Sequence, residues 1–202
     1  MKSLSRVLVL IGTAAIANIA HAVEYAAVLA DKSTVVFTSR QMGVPVQGSF
    51  PKFTTKLQFD PARPEAAKVE LSIDLATKDA GSKDANDEVV GKQWFNVKTF
   101  PMATFTSTTV KSVGPASYEV TGPLTIKGKS VPVIAAFTYK ADGTNGVFDG
   151  GFVLKRIDFA IGEGPWADVS TVANEIQVKF RVVATASATA PAAPAKSLTK
   201  SK

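Results

Sequence analysis

The chain has 202 residues, a formal net charge of +6, no cysteine and a single histidine, His21. Those absences remove cysteine nucleophiles, disulfides and, if residue 21 is lost, every histidine general base, histidine haem ligand and the usual zinc sites. Setting aside Lys2, Arg6, Lys196, Lys200 and Lys202 takes the 23 basic residues to 18, against 17 acidic ones, so the charge belongs to the ends and a nucleic-acid partner is not expected.

Residues 1–22 place Lys2 and Arg6 before an apolar run, Val7–Ile19, and finish on Ala20-His21-Ala22. A charged start, a short apolar stretch and an A-x-A site are the plan of a secretory signal, cleaved after Ala22. The apolar run is too short for a membrane span, which needs about 20 residues. With no cysteine to carry a lipid anchor, the exported product is expected to be soluble. Residues 186–202, ASATAPAAPAKSLTKSK, offer one large apolar side chain, Leu198, and read as a disordered tail. Residues 23–185 between them are one domain's worth of chain.

Inside the domain the apolar period is two. Val69, Leu71, Ile73 and Leu75 alternate with polar residues, as do Ile176, Val178, Phe180 and Val182. That is the pattern of strands with one buried face. Val35-Val36-Phe37 and the run Val131–Tyr139 are apolar on both faces. Strands are expected at 24–29, 33–40, 53–60, 67–76, 102–112, 117–127, 130–141, 147–156 and 172–184. Lys127-Gly128 and Asn145-Gly146 read as tight hairpin turns. The period breaks at 83–93, KDANDEVVGKQ, where Asp84 can cap a short helix that ends near Gly91. Trp94, Phe95 and Val97 then face the core, and Pro101 stops the irregular segment. Two stacked sheets or a closed barrel would both bury such strands. A single long excursion among short connections favours the barrel, with eight or nine strands.

Candidate chemistry is sparse. Asp79, Asp84, Asp87 and Glu88 form the densest acidic group, but their spacing is not that of a calcium loop and they sit at a helix start. In 156–168, RIDFAIGEGPWAD, Arg156 and Asp158 could pair on one strand face, and Trp166 could anchor a loop over a barrel mouth. The segment matches no phosphate-binding pattern. All twelve phenylalanines fall in the domain. An eight-stranded barrel either fills its interior with such rings or leaves room for one elongated apolar molecule.

Five segments in order, GVPVQGSFPKF (43–53), LQFDPARPEAAKVELSIDL (57–75), EVVGKQWFNVKTFPMATFTST (88–108), GPLTIKGKSVPV (122–133) and GGFVLKRIDFAIGEGPWADVSTVANEIQVKF (150–180), resemble the YceI-like family. The resemblance implies an all-β fold, an eight-stranded antiparallel lipocalin-like barrel with a short helical excursion, located in the periplasm. It also implies an isoprenoid lipid, a polyprenyl chain or a quinone, held along the barrel interior, with no catalysis and no cofactor beyond that ligand. Relatives can be encoded beside a b-type cytochrome, which makes such a membrane protein a candidate partner. Ala160 stands where a glycine is common, and Gln41 where many relatives have histidine. The residues expected to line the ligand site are Phe37, Phe59, Leu71, Ile73, Phe105, Leu124, Phe137 and Phe152, with Trp94 near a lid. The alternatives from other classes are a non-catalytic accessory protein docking on that cytochrome, and a hydrolase built on two carboxylates converging in the lumen.

Overall fold

A computed structural model describes residues 23–188. They form an all-β antiparallel fold with one short helix. In chain order its strands are β1 (Val23–Val28), β2 (Thr34–Gln41), β3 (Val44–Ser49), β4 (Phe53–Gln58) and β5 (Lys68–Asp74). The helix α1 (Lys83–Val89) follows, then β6 (Met102–Thr106), β7 (Thr109–Gly114), β8 (Ser117–Ile126), β9 (Lys129–Asp142), β10 (Asn145–Lys155) and β11 (Glu175–Ala188). The expected signal segment lies outside the described residues, as does most of the expected tail. The tail's first three residues, 186–188, instead continue β11.

The sheet runs β3-β2-β11-β10-β9-β8-β6-β5-β4, with β1 also on β11 and β7 also on β8. It curls until its ends meet. Tyr25 of β1 exchanges both backbone hydrogen bonds with Phe59, one residue past β4, at 2.8 and 3.1 Å. Strands β1 and β2 share one edge of β11, and β6 and β7 share one edge of β8. Each pair occupies one place in the ring, so ten strands fill eight places, and the eleventh, β3, is added as a hairpin on β2.

This explains where the strand expectations miss. The run 102–112 is not one strand: it breaks at Ser107-Thr108, where Ser107 Oγ accepts from Val69 N at 2.9 Å. Strand β3 was not expected because VPVQGS carries Pro45 and Gly48 and leaves its outer side chains in water. Its hairpin turns on Met42 and Gly43, both at positive φ (48° and 80°). The turn expected at Asn145-Gly146 falls at Gly143-Thr144, and Asn145 pairs with Asp142 inside the ladder. Gly146 is needed there for another reason, since a Cβ would stand 2.8 Å from the Tyr25 ring. The Lys127-Gly128 turn is where it was expected. Helix α1 is capped by Ser82, whose Oγ accepts from Ala85 N at 3.2 Å, rather than by Asp84, which lies in the first turn.

The alternating pattern places one face of every long strand inside the ring. On β8, Tyr118, Val120, Leu124 and Ile126 are buried. On β10, Phe148, Phe152, Leu154 and then Arg156 share the inward face. The two-faced apolar runs do not bury both faces: Val36 and Ile134 are exposed on the outside.

Candidate functional site

The interior is filled at one end and hollow through the rest. At the filled end Phe59 sits among Tyr118, Tyr139 and Phe148, with ring centroids 5.2, 5.3 and 5.0 Å away. Phe137 stacks on Tyr118 at 5.2 Å. The Tyr139 hydroxyl donates to the Tyr25 hydroxyl at 2.8 Å, so the two polar tips satisfy each other inside an apolar plug. Burial, and then the bond to Tyr25, push the Tyr139 phenol well above its usual value.

Above this floor lies a cavity of about 570 Å³. All nine residues singled out from the sequence line it: Phe37, Phe59, Leu71, Ile73, Trp94, Phe105, Leu124, Phe137 and Phe152. The register brings several into one row, because Ile73 pairs with Phe53 and Ala103, Leu71 with Thr55 and Phe105, and Phe105 with Leu124. Gly150 keeps part of the wall thin. A Cβ there would stand 2.6 Å from both the Phe137 Cβ and the Phe180 ring, so the missing side chain lets those residues pack close. The wall is almost wholly aliphatic and aromatic. Thr55 Oγ1 and Trp94 Nε1 are buried polar atoms with no hydrogen-bond partner, and Trp94 packs its ring 5.5 Å from that of Trp166.

The lining turns polar where it reaches the surface, at Gln41, Ser82, Asp84 and Glu88. Helix α1 lies along this mouth. The loop 156–174 lies against it, and the two segments are tied together. Trp166 Nε1 donates to Glu88 Oε1 at 2.7 Å, and the amides of Gly162 and Glu163 donate to Gln93 O at 2.8 and 2.9 Å. Trp166 therefore anchors the loop over the mouth, as its place in the sequence suggests.

From the sequence, Arg156 could pair with Asp158. It does not, because both lie in a tight 3-10 turn, Arg156–Phe159, and Asp158 is exposed. The Arg156 side chain continues the inward face of β10 and is 1% exposed. Its guanidinium donates to the carbonyls of Ile161, Gly162, Trp166, Val172 and Ala173, at 2.7–3.3 Å. The charge is thus held by backbone dipoles, and desolvation lowers its pKa from the usual arginine value. Sequence reading missed it as a wall residue, although the alternation from Phe148 through Leu154 leads straight to it.

The carboxylates near the cavity do not converge inside it. Asp84 and Glu88 are exposed at the rim, and Glu88 is bonded to Trp166. Asp60, the buried acidic residue, accepts from Ala62 N and Arg63 Nε within its own turn.

The YceI-like domain model matches residues 27–184. A UPF0312 protein of Azotobacter vinelandii is 34% identical over 141 residues, 67% of this chain and 71% of that one. Among solved structures, BcnA of Burkholderia cenocepacia is 45% identical with a TM-score of 0.76, covering 78% of this chain and 99% of that one. A polyisoprenoid binding domain from Saccharophagus degradans is 17% identical with a TM-score of 0.63, covering 83% of this chain and all of that one, a likeness of fold.

Proposed function

Because the chain belongs to the YceI-like family, we propose that it is a periplasmic, non-catalytic protein that sequesters or carries an isoprenoid lipid, a polyprenyl chain or a quinone, in its barrel. The observation that carries this reading is the apolar cavity of about 570 Å³, floored by the aromatic cluster and edged with polar residues where it meets the surface. That is within the size range of small-molecule sites, about 300–1,000 Å³. The polyisoprenoid binding domain of the same fold supports the ligand class at the level of fold.

The energetics suit a carrier. Shielding a CH₂ from water gains about 0.8 kcal/mol. A tail drawn from a bilayer leaves an equally apolar place, so its transfer is close to balanced and reversible. An aliphatic and aromatic wall provides that balance without any acid, base or metal, and a mouth framed by α1 and Trp166 leaves the headgroup near water.

The test is lipid extraction from the natively purified protein followed by mass spectrometry. An isoprenoid present in stoichiometric amount is expected. Its absence, with other lipids at background, overturns the reading. Both tryptophans of the chain, Trp94 and Trp166, line the cavity, so arrival of a quinone ring should quench the intrinsic fluorescence while a polyprenyl alcohol should not.

A further inference from the structure

The tip of the β2–β3 hairpin is built against the ordinary preferences of such turns. Two-residue turns with both central residues at positive φ favour Asn-Gly, and a bulky residue at positive φ is an outlier. Here the first place is Met42, at φ 48°. The side chain gains nothing by packing, since Met42 is 73% exposed, and Val44 beside it is 63% exposed. The tip is nevertheless held rigidly. Met42 N donates to Thr171 O and Ala173 N to Arg40 O, both at 2.9 Å, and Gln41 bridges to Val172. The loop that holds it presents a third bare apolar residue, Val169, 50% exposed. Strain spent on an unpacked methionine points to a use outside the fold.

The position says what that use is. Gln41, next to Met42, is part of the cavity rim, and Ser39 and Val46 on the same hairpin line the wall. The apolar tip is therefore continuous with the mouth through which a lipid must pass. The guanidinium of Arg40 lies at the same tip, 3.2 Å from Gly43 O, where it can meet a lipid phosphate.

We infer that Met42, Val44 and Val169 form a membrane-docking tip that seats the cavity mouth on the interfacial layer of a phospholipid bilayer for lipid exchange. The inference rests on the carrier reading above. Three apolar side chains on a rigid platform give shallow, reversible seating rather than anchoring, since binding strength scales with the apolar area buried. Reversibility is what repeated exchange requires.

The experiment uses the full chain and protein-free vesicles of phosphatidylethanolamine and phosphatidylglycerol containing a long-chain ubiquinone, with tryptophan quenching as the readout of transfer. Two variants are compared with wild type, Met42→Asn and Val44→Asp. Each should slow transfer about tenfold, the effect of withdrawing one buried apolar side chain. Equilibrium loading from a cyclodextrin-solubilised quinone should be unchanged, because neither side chain lines the cavity. Met42→Asn should also raise the urea midpoint slightly, since asparagine tolerates positive φ better than methionine. Stability and transfer moving in opposite directions separates docking from a structural role. Wild-type transfer rates in both variants, or no wild-type exchange with protein-free vesicles despite loading from cyclodextrin, overturn the docking tip and leave the carrier reading intact. No loading from either source overturns the quinone form of the carrier reading and the docking tip tested through it.

Discussion

The indole of Trp166 donates to the carboxylate of Glu88 at 2.7 Å, across 78 residues of sequence. The bond joins two segments that are each notable for aromatic residues but share no pattern: the excursion after β5, and the loop after β10. Together with Gln93 O, which accepts from Gly162 and Glu163, it makes them one rim. Because the pair is exposed, Glu88→Ala is expected to cost no more than about 1 kcal/mol of global stability. Its effect should be local: faster amide exchange in residues 162–168, measured by hydrogen–deuterium exchange, and faster ligand release. Unchanged exchange there would show that the bonds from Arg156, Lys127 and Gln93 hold the loop without the Trp166–Glu88 contact.

Arg156 does the opposite kind of work. Its guanidinium is the hub on which carbonyls from Ile161 to Ala173 converge. Lysine cannot reproduce a planar fork with five donors. Arg156→Lys should therefore leave several buried carbonyls unpaired and cost about 3 kcal/mol, read as a lowered urea midpoint. A loss below about 1 kcal/mol would mean the loop re-forms its bonds another way.

Much of this was legible in the sequence, for a physical reason. Period-two alternation is imposed by the pleat wherever one face is buried, so β5 and β11 were legible, and with them the shared face of Leu71 and Ile73. What alternation cannot show is a strand that buries little, such as β3, or a break such as Ser107-Thr108 where a neighbour's backbone takes over the bonding. Nor does it flag a charge that sits inside because carbonyls surround it, as at Arg156. Ala160 is instructive in a different way. It stands at φ 54°, in the left-handed region, which is why glycine is the easier residue at that position.

Lys127, from the β8–β9 turn, reaches into the same rim. Its Nζ donates to Ala160 O at 2.6 Å and to Glu163 at 2.7 Å. The bond from Lys127, and then its charge, hold the Glu163 carboxyl below its ordinary value of 4.5. A carboxyl depressed in the folded state contributes stability above its unfolded pKa and loses it as the pH falls through the folded one. Wild type should therefore exceed Glu163→Gln in stability at neutral pH. The gap should close as the pH drops below 4.5, with urea unfolding at several pH values as the measurement. A gap of constant size would show that it does not come from the titrating carboxylate paired with Lys127.

The cavity itself is tested by filling it. Leu71 is half-buried on β5, facing the hollow between Thr55 and Phe105. In a tightly packed core Leu71→Trp would cost about 1–3 kcal/mol through overpacking. Here the added ring has open space to enter, so the urea midpoint should fall little. Isoprenoid recovered from the purified protein should fall by more than half. The control is Val153→Trp, which adds the same ring on the outer face of β10, where Val153 is exposed. If lipid recovery falls equally in both variants, the loss comes from altered folding or surface stickiness. If only the Leu71 variant loses lipid while both stay folded, the ligand occupies the hollow that Leu71 faces inside the barrel, since the same indole on the outer face leaves loading intact.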